Sequence, residues 1–79
     1  MTSVVLYTMP NCPQCYATKR YLDEDEIEYS MVDITKDEKA YELVSSLGYK
    51  GAPIVVNGEM HWSGFRPDKI ALLKVKKSS

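Results

Sequence analysis

The chain carries two cysteines, three residues apart in Cys12-Pro13-Gln14-Cys15. Ahead of them lies Ser3-Val4-Val5-Leu6-Tyr7-Thr8, a β-branched, apolar run without clean alternation that reads as a strand buried on both faces. Met9-Pro10-Asn11 breaks the strand. Pro13 then stands where proline is favoured, at the first position of a helix reaching to about Asp25. Two thiols between the end of a strand and the head of a helix suit chemistry better than stapling. A small secreted domain is normally held by several bridges between distant segments, whereas a Cys12–Cys15 bridge closes a tiny loop and constrains the unfolded chain very little.

The remaining elements follow from local pattern. The first helix is expected to turn Ala17, Tyr21 and Leu22 inward, and Glu28 to Ile34 reads as a second strand. Thr35-Lys36-Asp37-Glu38 has capping-box spacing and opens a helix with Ala40, Leu43, Val44 and Leu47 on one face. Gly48 follows where a C-terminal cap calls for positive φ. Pro53-Ile54-Val55-Val56, then Asn57-Gly58, then Glu59-Met60-His61-Trp62 reads as a hairpin, because Asn-Gly suits the type I′ turn. After the Ser63-Gly64-Phe65-Arg66 loop, Pro67 opens a last helix with Ile70 and Leu73 inward, and Lys74 to Ser79 is expected to fray. The order β-α-β-α-β-β-α defines an α/β chain. Its strand–helix–strand unit implies a right-handed crossover between parallel strands, and the hairpin adds an antiparallel pair. The expected product is a four-stranded mixed sheet with three helices on its two faces, in a single domain spanning residues 1–79.

Composition and charge remove several classes of function. With 44% hydrophobic and 27% charged residues the chain is neither disordered nor collagen-like. No apolar run approaches the roughly 18 residues of a membrane span, and Met1-Thr2-Ser3 lacks the basic start of a signal peptide. A cytoplasmic location away from membranes is therefore expected, and the chain is taken as a monomer. Residues 22–42 hold nine acids against Lys36 and Lys39, while residues 43–79 hold six bases against Glu59 and Asp68. That asymmetry reads as a solvated acidic face and a basic C-terminal helix, and a pI of 5.7 argues against nucleic acid as a partner.

If Pro13 is the first helical residue, Cys12 is the N-cap. Its sulfur then lies beside the unpaired N–H groups of the first turn and the positive end of the helix dipole, which favour thiolate over thiol. Thiolate is the nucleophile in disulfide exchange. Cys15 sits one turn deeper. Cys12 is thus expected to attack a partner disulfide and Cys15 to resolve the mixed disulfide, with Pro13 stiffening the turn between them. A zinc site needs about four ligands, and the pair plus the single His61 supplies three, so no metal is expected. An iron–sulfur cluster would need thiols from a second chain, and an inert pair would fit cysteines buried mid-strand.

The chain resembles the thioredoxin/glutaredoxin superfamily over residues 3–75, and within it Cys12-Pro13-Gln14-Cys15 with Ala17-Thr18-Lys19-Arg20, Gly51-Ala52-Pro53 and Trp62-Ser63-Gly64-Phe65-Arg66-Pro67-Asp68 resembles the NrdH-type redoxins. The resemblance implies the minimal thioredoxin/glutaredoxin fold and a thiol–disulfide oxidoreductase acting as an electron carrier, with no bound cofactor. Its Cys12–Cys15 disulfide would draw electrons from NADPH through thioredoxin reductase and pass them to class Ib ribonucleotide reductase. It further implies that Pro53 matches the superfamily's cis-proline, with the Ala52 backbone turned toward a docked peptide as an added strand. Without the family, a trans proline starting an edge strand would be the preferred reading.

Pro13, Gln14, Ala52, Pro53, Trp62, Ser63, Gly64, Phe65 and Arg66 are the candidate partner-binding residues. Taken alone, Trp62 and Phe65 suit a core as well as a docking surface, and Arg66 suits a solvated charge or a brace on backbone carbonyls. Glutaredoxins usually place a Gly-Cys-Asp-Asp-like stretch that grips glutathione where this chain has Ser63 to Asp68, and the tyrosine common beside their cysteines is Gln14 here. The alternative function is a glutathione-dependent dithiol glutaredoxin.

Overall fold

Strand periodicity assigns the two faces of the sheet. In β1 (Val4–Thr8), Val4 and Leu6 turn to one side, Val5 and Tyr7 to the other, and both sides are covered. The computed structural model describes residues 4–58 and 60–77, so Ser3 lies outside the described residues. The further elements are α1 (Pro13–Glu24), β2 (Ser30–Asp33), α2 (Glu38–Ser46), β3 (Ile54–Asn57), β4 (Met60–Ser63) and α3 (Pro67–Lys77). The sheet order is β2-β1-β3-β4. β1 and β2 are parallel and the other two pairings antiparallel, which is the expected mixed topology.

Each face has its own core. Val4, Leu6, Val55 and Trp62 meet Leu22 of α1 and Ile70 and Leu73 of α3 on one side. Tyr7 and Ile54 meet Ala40 and Val44 of α2 on the other. Leu6, Leu22, Ile54 and Ile70 are fully buried, each contributing about 1.5–3 kcal/mol of transfer free energy.

α1 is rotated from the expected orientation. Cys15, Thr18 and Leu22 face inward, while Tyr21 is 43% exposed. Positions 15, 18 and 22 form a proper helical stripe, and its polar member is satisfied because the Thr18 hydroxyl donates to the Gln14 carbonyl at 2.9 Å. The helix stops at Glu24 because Glu26 takes a φ of 59°, and the Glu26 and Ile27 amides turn back onto the Asp23 and Leu22 carbonyls. β2 is likewise shorter than residues 28–34.

α2 has a different cap from the one its sequence suggests. Asp33 captures Thr35, whose N–H and hydroxyl donate to Asp33 Oδ1 at 2.8 and 2.6 Å. Asp37 becomes the N-cap and accepts from the Ala40 amide at 3.1 Å. Starting at Glu38, the helix buries Ala40 and Val44 and leaves Leu43 exposed and Leu47 half-buried. At its end Gly48 adopts a φ of 97°, its N–H donating to Ser45 and that of Tyr49 to Val44, a Schellman closure.

The hairpin pairs one rung further along than Asn57-Gly58 implies. Asn57 stands opposite Met60 and Val55 opposite Trp62, so Gly58 opens the loop. A two-residue change of register keeps every side chain on its expected face. α3 is helical through Lys77, where fraying was expected, and Ser78 and Ser79 lie outside the described residues.

Candidate active site

β1 and β3 are the interior strands and run antiparallel, so the end of one and the start of the other share a rim of the sheet. Beyond β1, Asn11 takes a left-handed φ of 58°, a conformation asparagine tolerates. Cys12 follows in an extended conformation as the N-cap of α1. Its carbonyl accepts from the Cys15 and Tyr16 amides at 3.0 and 3.2 Å, and its Sγ accepts from the Cys15 N–H at 3.2 Å. Cys12 and Cys15 are joined as a disulfide, with Cα atoms 5.2 Å apart. Cys12 is half-buried and Cys15 only 2% exposed, so Cys12 offers the accessible sulfur.

The facing wall is the connection from α2 to β3. Its Ala52–Pro53 bond is cis, as the resemblance implied, and Pro53 is fully buried at the head of an interior strand, not an edge strand. The Ala52 carbonyl oxygen lies 3.9 Å from Cys12 Sγ. The loop after β4 closes the third side. Its Gly64 N–H donates to the Pro53 carbonyl at 2.8 Å. Gly64 has a φ of 83°, and a Cβ built there would stand 3.6 Å from Gln14 Oε1, so the cysteine loop lies over this glycine. Cys12, Gln14, Cys15, Ala52, Pro53 and Gly64 are thus brought together, with Pro13 exposed beside them.

The other candidates divide. Trp62 is 5% exposed and its ring belongs to the core on the α1–α3 side. Its buried Nε1 has no hydrogen-bond partner among the described residues. Ser63 is exposed opposite Ile54. Phe65 is half-buried and leans on Tyr21. Arg66 braces a carboxylate, not backbone carbonyls: its Nε and Nη2 donate to Asp68 at 3.2 and 3.1 Å. The guanidinium holds the Asp68 carboxyl below the ordinary 3.8.

Two aromatic residues not singled out as site residues in the sequence share a groove with Phe65. Tyr16 and Tyr21, with Arg20 and Phe65, line a shallow groove of about 430 Å³ on the outer side of α1. With Cys15, Thr18 and Leu22 inward, both tyrosines lie outward, whereas apolar spacing in the sequence favours Tyr21 inward. Among the described residues no group of three His, Cys, Asp or Glu side chains converges on a metal position.

A glutaredoxin family model matches residues 4–62. The glutaredoxin-like protein NrdH of Salmonella typhimurium is 40% identical over 68 residues, covering 86% of this chain and 84% of that protein. The protein of the same description from Lactococcus lactis subsp. cremoris is 34% identical over 70 residues, covering 89% and 97%. Among solved structures, the glutaredoxin-like NrdH-redoxin from Escherichia coli, a protein with a thioredoxin-like activity profile, superposes with a TM-score of 0.85. It is 36% identical, and the match covers 89% of this chain and 92% of that one.

Proposed function

The chain belongs to the glutaredoxin family and is a glutaredoxin-like redoxin, and from that premise we propose that it reduces protein disulfides. Its electrons come from NADPH through thioredoxin reductase, and its acceptor is a class Ib ribonucleotide reductase. The observation that carries this reading is the half-buried Cys12 residue, whose sulfur caps α1 beside the half-buried Ala52. The relatives' description as NrdH supports the choice of partners.

The chemistry follows from the two sulfurs. In the reduced chain the Cys12 thiolate attacks one sulfur of a partner disulfide, forming a mixed disulfide and expelling the other partner sulfur as thiolate. Cys15 gives its proton to solvent and attacks Cys12 Sγ. The second partner thiolate leaves and the Cys12–Cys15 bond closes. Two electrons have passed to the partner, and a reductase dithiol returns two by the reverse sequence. No step needs a metal or a bound cofactor. That no described helix is long and apolar enough to cross a membrane is compatible with work in the cytoplasm.

A coupled assay tests the assignment. Oxidised chain with thioredoxin reductase should consume NADPH, and glutathione with glutathione reductase should serve poorly. The opposite pattern would establish the glutathione-dependent dithiol glutaredoxin in its place.

A further inference from the structure

Tyr49 and His61 share a hydrogen bond that the redox chemistry does not use. The Tyr49 hydroxyl and His61 Nδ1 are 2.7 Å apart, and the two rings meet edge to face with centroids 5.6 Å apart. Tyr49 directly follows Gly48, its N–H donates to the Val44 carbonyl at 3.1 Å, and its ring packs against the core under α2. His61 is exposed on β4, opposite Val56. The bond therefore ties the start of the 49–53 connection to the outer strand of the sheet.

That connection ends at the disulfide. Its Ala52 carbonyl stands 3.9 Å from Cys12 Sγ, and its Pro53 carbonyl is held by the Gly64 amide at 2.8 Å. Lys50, Gly51 and Ala52 between these anchors belong to no helix or strand. One end of the wall is thus pinned by a β4 side chain and the other by the loop that follows β4.

We propose that Tyr49 and His61 are a positioning pair for the docking wall. They set where Ala52 stands relative to Cys12, and so how well the extended segment around a partner's disulfide is received, while leaving the reactivity of the Cys12 sulfur alone. The proposal rests on the reading that this chain reduces protein disulfides. With the tyrosine hydroxyl donating, His61 accepts at Nδ1 and carries its proton on Nε2. Asparagine at position 61 would put an acceptor oxygen near the place of Nδ1, and leucine would put none.

The test compares Tyr49→Phe, His61→Leu and His61→Asn in the full chain, with insulin as protein disulfide under regeneration by dithiothreitol, and with dithiobis(nitrobenzoate) as small disulfide in single turnovers of chain reduced beforehand and freed of dithiothreitol. Tyr49→Phe and His61→Leu should each raise KM for insulin roughly three- to tenfold, the scale of one hydrogen bond's net worth, with kcat unchanged. Rates with the small disulfide should stay at the wild-type level. The double variant should be no worse than either single one, and His61→Asn should restore most of the loss. An unchanged KM in Tyr49→Phe, or a parallel fall with the small disulfide, overturns the proposal. If wild type reduces the small disulfide but not insulin, the protein-disulfide reading fails by itself. Amide exchange then decides the pair's role: faster exchange at Gly51 and Ala52 in Tyr49→Phe sustains positioning, and unchanged exchange ends it.

Discussion

Tyr21 and Phe65 meet edge to face, with ring centroids 4.9 Å apart and planes inclined by 72°. The contact joins α1, which bears Cys15 and is capped by Cys12, to the loop whose Gly64 holds Pro53. Such a pair contributes about 0.5–1.5 kcal/mol beyond its buried area. A double-mutant cycle of Tyr21→Ala and Phe65→Ala in urea should return a coupling of that size, and additive effects would show that the rings are neighbours only. Phe65→Ala should also raise KM for thioredoxin reductase about tenfold, equivalent to about 1.4 kcal/mol.

The unequal burial of the two sulfurs separates their roles. Cys12→Ser should abolish disulfide reduction. Cys15→Ser should accumulate a covalent adduct with the partner, seen on a non-reducing gel and released by dithiothreitol. An adduct that forms through Cys15 in the Cys12→Ser chain would reverse the order of attack.

The cap of α2 gives a stability ranking. Asp37→Ala removes the acceptor for the Ala40 amide and should cost about 1 kcal/mol in a urea titration. Thr35→Ala removes an exposed hydroxyl that bonds only Asp33 and should cost less than about 0.5 kcal/mol. The reverse order would reinstate Thr35 as the cap.

Acid should weaken the fold gradually. Asp33, Asp23 and Asp68 are held below the ordinary carboxyl value of 3.8, chiefly by donation from the Thr35 hydroxyl, the Lys19 ammonium and the Arg66 guanidinium respectively. A carboxyl with a depressed folded-state pKa leaves the unfolded chain holding more protons as pH falls, so stability falls with pH. The contribution should be complete above about pH 5 and fade as pH drops through the depressed values. These groups are exposed, so the decline in urea midpoint between about pH 6 and about pH 2.5 should be shallow. Asp33→Asn should flatten it further, and an unaltered slope would remove Asp33 from this account.

Sequence pattern was sufficient for the element order and the Cys12 cap, because a β-branched apolar run in β1 and a proline after a cysteine are local signals. It misjudged the inward face of α1 because Thr18 satisfies its own hydroxyl on Gln14, which lets a polar residue stand where apolar spacing favoured Tyr21. Thr35 and Asp37 are both good caps, and the choice fell to a third residue, Asp33, which occupies the threonine. The Asn57-Gly58 signal located the hairpin but not its rung, since the pairing of Asn57 with Met60 is a property of both strands. The meeting of Tyr49 with His61, and of Gln14 with Gly64, depends on how separate elements stack, and no spacing along the chain encodes it.

Because Cys12 caps α1 with the same sulfur that exchanges electrons, the helix changes the charge of its cap during turnover. A thiolate receives the Cys15 N–H as an ionic hydrogen bond, whereas the sulfur of a mixed or closed disulfide is a neutral and weaker acceptor. The hydrogen bond from the Cys15 N–H is therefore stronger to the thiolate than to the disulfide sulfur. Whatever the anion adds to the helix must be surrendered when the sulfur is oxidised, so local folding and electron transfer are linked functions of one atom. The Cys15 amide is the natural gauge of that linkage, since its resonance registers the oxidation level of the neighbour it caps.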